Sequence, residues 1–340
     1  MPMSRKHLIF FALSAMLCLA AMLLSLLTGA SRIPPADVFR ALAGLDCPPE
    51  IRAVVLEIRL PRSLAALLAG SAMSVCGLMM QTMFSNPLAG PYVLGVNSGA
   101  SLGAALLILG LPRGISSGVS PSFFSGSLAL AGASWAGAAV VLLLVALAGR
   151  RLRNIMALLV LGLMTGSAVD SLVQILQYFS DSDSLKTYVL WTMGSLGGVP
   201  ASRIPLMSVA VLMGLLIAFV CSKPLNQMLA GEQYARTMGM DVRLTRLALY
   251  LATILLAGTV TAFCGPIGFV GLAVPHITRA LMRTADHRLL VPGTLLCGAF
   301  LMSACDLLAR TFTLPVNALT SFLGIPVVLW IIFRRKSGYD

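Results

Sequence analysis

Few residues of this chain have the types and spacing for covalent chemistry. Its three histidines, His7, His276 and His287, are too scattered to be assembled by spacing into a metal site, and no HExxH occurs. None of the four lysines, Lys6, Lys186, Lys223 and Lys336, follows a glycine, so there is no GxxxxGK[ST] phosphate loop. The seven cysteines include no CxxC pair. Six of them (Cys18, Cys76, Cys221, Cys264, Cys297 and Cys305) lie in or at the ends of apolar runs and read as small packing residues. No spacing pairs a nucleophile with a base, which sets aside an intramembrane enzyme. The expectation is a chain with no catalytic residues, no metal and no cofactor of its own. Any uphill work must then draw on a partner or an ion gradient. One acid stands out, Asp170 in "MTGSAVDSLVQILQ", with Gln174 and Gln177 one and two turns on. A lone carboxylate in hydrocarbon costs roughly 2.5 kcal/mol or more, so it should face a cavity or a partner. It is the best feature for a proton-coupled secondary transporter. That class needs midplane ionisable relays and usually an internal repeat, and one acid without a companion is thin support.

The elements that must position these residues are membrane spans. The chain has 340 residues, 58% hydrophobic and 11% charged, with a mean hydropathy of +0.92. A soluble domain carries about a quarter charged residues. The basic excess sits in short clusters between apolar runs, as in a polytopic membrane protein, which argues against nucleic acid. Apolar stretches of spanning length occur near 8–28, 63–83, 93–111, 124–148, 155–179, 204–221, 247–264, 267–283, 289–309 and 316–333. The first imitates a signal peptide but is long enough to span, and reads as a retained helix. The stretch 267–283 is the weakest span, because "GPIGFVGLAVPHITR" carries Gly, Pro and a terminal Arg. A broken helix is tolerated only where protein or a water-filled cavity surrounds it. Ten spans place both termini on one side. Fifteen of the 24 Lys and Arg collect there, and five of the remainder fall in 31–62. The positive-inside rule then makes the termini cytoplasmic. The expectation is an all-α polytopic protein of one membrane domain, residues 1–340.

Three stretches carry more than hydropathy. In "QTMFSNPLAGPYVLGVNSGASLGA" (81–104), Pro87 and Pro91 break the helix. Gly95, Gly99 and Gly103 then form a smooth ridge for a neighbouring helix. In "EIRLPRSLAALLAG", Arg59 and Arg62 stand just outside the second span. They serve either as interfacial anchors or as docking forks for an acidic partner. Asp306, four residues before Arg310, can pair with it along a helix. "LNQMLAGEQYARTMGMDVRL" (225–244) is a polar interruption between apolar runs. It reads as two short helices, Asn226–Ala230 and Glu232–Gly239, hinged at Gly231. Leu229, Tyr234 and Met238 offer an apolar knob ringed by Glu232, Arg236 and Arg243. An amphipathic helix lying on lipid would prefer many lysines and a larger aromatic face.

"RLPR", "NPLAGPYVLGVNSGAS", "GEQYARTMGM", "GPIGFVGLAVPHITR", "DHRLLVPG" and "FLGIPVVLWII" occur in this order. Together they resemble the permease subunits of type II ABC importers for iron–siderophores, haem and cobalamin, the FecCD-like family. The resemblance runs from about Arg59 to the C-terminus. It implies a ten-helix permease fold in the bacterial inner membrane, paired with a second copy or a similar permease. It also implies two cytoplasmic ATPases, which would bind the ATP and Mg, and a periplasmic or lipid-anchored binding protein. Arg59, Arg62 and Arg310 then face acidic residues of the binding protein. Asn86 and Leu88 of "NPL" belong to the cytoplasmic gate, its other half lying about Asn154–Met156, where "RRLRNIM" departs from some relatives. Asp170 and Gln174 line the pathway. Residues 222–244 form the coupling element, with Leu229, Gly231, Glu232, Tyr234, Arg236, Met238 and Gly239 meeting the ATPase. Iron–siderophore is the first substrate expected, haem and cobalamin following.

Overall fold

The computed structural model describes residues 4–29, 31–110, 127–149 and 155–336. These form fourteen helices and, among the described residues, no strand. A long α1 (Arg5–Leu27) and a short α2 (Pro35–Leu42) lead into α3 (Pro49–Met83), which is continuous through a π segment at Val54–Arg59. A 3₁₀ turn at Pro91–Leu94 opens α4 (Val96–Ile108), followed by α5 (Ser127–Gly149), α6 (Ile155–Tyr178) and α7 (Ser182–Thr192). Then come α8 (Ile204–Val220), the small pair α9 (Ser222–Met228) and α10 (Glu232–Thr237), and α11 (Val242–Cys264). The chain closes with α12 (Val270–Met282), α13 (His287–Phe312) and α14 (Val316–Lys336).

Seven of these, α1, α3, α5, α6, α8, α11 and α13, are long and apolar enough to cross a membrane. Three shorter apolar helices, Val96–Ile108, Val270–Met282 and Val316–Val327, fall on the other three stretches marked by the sequence. The span expected at 267–283 is one of them. At about 1.5 Å per residue, its 13 residues reach only about 20 Å of a roughly 30 Å hydrocarbon core. The cause is local. Gly265 (φ 78°) and Phe269 (φ 64°) take the left-handed region, so the chain leaves α11 extended before α12 begins. Its backbone groups find partners inside the protein: the Gly268 N–H donates to Asn317 Oδ1 at 3.0 Å, and the Ser195 N–H to the Cys264 carbonyl at 2.8 Å. That is the condition under which lipid tolerates irregular backbone.

Helix α3 sits at the centre, buried on almost every side from Ser63 to Met83, and packs against α13, α12 and α8. Small residues make this possible. A Cβ on Gly70 would collide with the Gly298 carbonyl, and one on Gly77 with that of Gly271. The ridge expected at Gly95, Gly99 and Gly103 lies in the seam between α4 and α5. Cβ atoms there would strike the Gly137 carbonyl from Gly99 and the Ala133 carbonyl from Gly103. Close approach of backbones replaces the hydrophobic effect as the source of cohesion where the surroundings are as apolar as the core. On the periphery, α1 and α8 show rows of exposed apolar side chains, among them Leu13, Met16, Leu212 and Leu216, as lipid contact requires. At one end, α2 folds down and buries Val38 and Ala41 with Leu26 and Val55 in a small separate core.

Candidate functional site

Two polar turns, one cluster of arginines and one helix face gather the residues singled out above. The first turn joins α9 to α10. Its leading helix is Ser222–Met228 rather than Asn226–Ala230, because the apolar residues Leu225 and Met228 bury against the bundle and pull it one turn back. The second helix ends at Thr237, where Gly239 (φ 79°) reverses the chain. Gly231 lies between them at φ 96° and ψ 153°, a conformation essentially reserved for glycine. The corner presents Leu229, Tyr234 and Met238, each at least half exposed. Ala235 is buried behind them. Glu232 accepts from Arg236 at 2.7 Å and from Arg246 at 2.6 Å. The partner supplied by α11 is therefore Arg246, while Arg243 is exposed. Asp241 fixes that register by accepting from the Arg243 and Leu244 N–H groups at the start of α11. An apolar tip on a corner braced by ion pairs can transmit force, which a floppy loop could not.

The second turn follows α3. Ser85 adopts φ 47°, Asn86 Oδ1 accepts from the Leu88 N–H at 2.9 Å, and Leu88 points outward, 42% exposed. The opposing half expected at Asn154–Met156 cannot be placed: Asn154 lies outside the described residues, as do the side chains of Ile155 and Met156.

The arginines sit at the opposite end of α3. Arg59 is only 4% exposed and donates to the Leu26, Leu27 and Ser31 carbonyls, at 2.7, 3.1 and 2.6 Å. That corrects the expectation that it faces outward: the π segment turns its guanidinium under the cap formed by the α1–α2 connection, where it satisfies end-of-helix carbonyls. Arg62 and Arg310 share Asp306, which is fully buried; Arg62 Nε donates to Oδ1 at 2.9 Å and Arg310 Nε to Oδ2 at 2.8 Å. Arg310 also donates to Ser25. The i,i+4 pairing of Asp306 with Arg310 is present. Its extension to Arg62 crosses 244 residues of sequence and left no local signal.

On α6, Asp170 and Gln174 are exposed in the single chain, and Ser167 and Ser171 lie on the same open side. Burial, then the Asp170 charge, push the neighbouring Tyr188 phenol of α7 up to about 12. A membrane helix with such a face is complete only when a second chain or water covers it.

Sequence reasoning passed over the residues behind the first turn. Asn226 donates to Asp286 at 2.6 Å and accepts from His287, while His287 reaches Thr82 of α3. Burial opposes ionisation of Asp286. The Arg288 N–H, the Asn226 amide and the Arg288 charge outweigh it and hold the carboxyl below its ordinary range. The available signal was an aspartate directly before a helix, since Asp286 caps α13 through the Arg288 N–H. Among the described residues no group of three or more His, Cys, Asp or Glu is placed to hold a metal.

The comparisons agree with this architecture. The profile of the FecCD transport family matches residues 17–334. The vitamin B12 import system permease protein BtuC of Salmonella typhi is 37% identical over 325 residues, covering 94% of this chain and 93% of that protein. Its counterpart from Escherichia coli O9:H4 (strain HS) is 36% identical over 337 residues, covering 98% and 97%. Among solved structures, a metal-chelate type ABC transporter in an inward-facing conformation superposes with a TM-score of 0.82 at 27% identity, covering 95% of this chain and 98% of that one. The chain is a multi-pass membrane protein belonging to the FecCD transport family, the permeases of type II ABC importers.

Proposed function

We propose that this permease forms the pathway for a bulky metal chelate, a corrinoid in the first instance, and is driven by cytoplasmic ATPases that grip the α9–α10 corner. The observation that carries this is the corner itself: Leu229, Tyr234 and Met238 stand exposed on a glycine-reserved bend braced by Glu232. Exposed apolar groups on a rigid polar mount suit a protein groove better than a lipid surface. In this reading α9, α10 and both termini are cytoplasmic, in a bacterial inner membrane. The open face of α6 with Asp170 and Gln174 lines a passage completed by a second permease, and Asn86 and Leu88 close its cytoplasmic end. A binding protein docks at the other end. Of the three arginines, Arg62 keeps the most open side chain, 27% against 15% for Arg310, so it is the leading docking residue. Arg310 shares its carboxylate, and Arg59 holds the cap beneath them. The B12 permease relatives move cobalamin ahead of the iron–siderophore expected from the family's breadth.

The experiment is reconstitution of the permease with its ATPase and binding protein. Vesicles should accumulate labelled cobalamin when ATP is present and stop when vanadate is added. Preference for ferric siderophore or haem would replace the substrate. Accumulation driven by a proton gradient without any ATPase would overturn the mechanism in favour of secondary transport.

A further inference from the structure

We infer that a one-directional chain of hydrogen bonds joins the α9–α10 corner to the turn after α3, with Asn226, His287, Thr82 and Arg279 as positioning residues for alternating access. This rests on reading the corner as the coupling element and the turn as the gate.

The direction of each link follows from the atoms. The Asn226 amide oxygen can only accept. It takes the His287 backbone N–H and the ring Nδ1–H, both at 2.8 Å, while the Asn226 amide nitrogen donates to Asp286 at 2.6 Å. A neutral imidazole offers one donor and one acceptor, so with Nδ1 donating, Nε2 accepts. The Thr82 hydroxyl therefore donates to Nε2 at 2.7 Å, in preference to the Leu78 carbonyl at 3.1 Å. The Thr82 oxygen in turn accepts from Arg279, the longest link at 3.5 Å. The chain thus runs from the Arg279 cation to the Asp286 carboxylate without reversing. Polarised in one sense, such bonds reinforce each other. His287 and Thr82 are almost wholly buried, so water cannot stand in for a broken link.

The other end of the chain holds the gate turn. Arg279 donates to Gln81 Oε1 at 2.7 Å. The carbonyls of Gln81 and Thr82 accept the Asn86 and Ser85 N–H groups, each at 3.1 Å, so the turn hangs from the two residues the chain fixes. His276, one turn before Arg279 on α12, donates from Nε2 to the Pro87 carbonyl at 2.7 Å. A shift of α9 therefore reaches Leu88 through bonds that α3, α12 and α13 all share. Coupling between two sites commonly changes an affinity roughly 5- to 150-fold. A buried link left half-made costs enough to remove about tenfold of such coupling.

The test reads the gate directly. Leu88→Cys is placed in a Cys47→Ser background in the full reconstituted transporter, and its maleimide labelling rate is compared with and without vanadate-trapped ATP. The relay predicts a nucleotide-dependent change in the parent that shrinks about tenfold in Thr82→Val and returns in Thr82→Ser. Asn226→Ala breaks the other end, and serves alone should Thr82→Val not assemble. Together the two should be no worse than either, because members of one network are non-additive. If Tyr234→Asp abolishes the change while Thr82→Val and Asn226→Ala leave it at the parental size, the relay is wrong and the coupling reading stands. If Tyr234→Asp also leaves it intact, the coupling reading falls and the relay with it.

Discussion

Gly231→Ala separates backbone torsion from every other effect at the α9–α10 corner. At φ 96° and ψ 153° an alanine is strained, yet its methyl would meet nothing within 4 Å. No contact is lost and no clash is made, so the whole cost is conformational, about 1–3 kcal/mol. The corner can escape that strain only by opening, which moves Tyr234 and Met238 away from Leu229 and shifts the presented population about 5- to 150-fold. A control is built into the chain. Gly44, in the loop between α2 and α3, also has positive φ (72°) and open space around a Cβ, but forms no part of the corner. Capture of the purified ATPase by the detergent-solubilised permease, titrated to a Kd, should weaken for Gly231→Ala and stay unchanged for Gly44→Ala. Thermal unfolding should fall similarly for both. If Gly231→Ala captures the ATPase within about twofold of wild type, a difference under ~0.5 kcal/mol, the corner does not depend on its bend and the reasoning fails.

The apolar tip makes its own prediction. Tyr234 is 59% exposed, and covering that surface stabilises a complex by on the order of 2 kcal/mol, so Tyr234→Ala should weaken ATPase capture roughly 30-fold without lowering the melting temperature. Asp306→Asn leaves Arg62 and Arg310 without their shared carboxylate in a buried setting. It should cost about 3–5 kcal/mol, read as a lowered unfolding midpoint, and an unchanged midpoint would show the pair to be idle. Gly103→Leu drives a side chain into Ala133 and should abolish monodisperse permease on size exclusion. Gly132→Leu, where a Cβ meets nothing, should not.

Spans were legible because lipid makes hydropathy almost a direct record of depth: every apolar stretch marked in the sequence coincides with a helix. The α9–α10 corner was legible because its polar residues interrupt that record, and because Gly231 advertises a bend that other residues avoid. What stayed hidden was non-local. Asp306 looks like a helix partner for Arg310, and nothing nearby announces that Arg62 reaches the same carboxylate. Arg59 and Arg62 read alike, three residues apart in one motif, yet the π segment sends one guanidinium under the cap and leaves the other at the rim. His287 offered only its isolation, since its partners Asn226 and Thr82 lie 61 and 205 residues away. Spacing along the chain records faces of a helix; it cannot record which helices meet.

The 35 residues of α3 make a rod of about 52 Å, well beyond the roughly 30 Å of hydrocarbon it must cross. Its surplus lies on the Pro49 side, where Arg59 and Arg62 stand about three turns in from the end, and the Asn86–Leu88 bend lies just past the other end. Clasped around nearly its whole circumference, such a spindle has little freedom except to tilt or slide as one body. In the proposed reading, a binding protein docked over Arg62 and the gate turn at Asn86–Leu88 therefore share a single mechanical part, and neither needs the cargo as messenger.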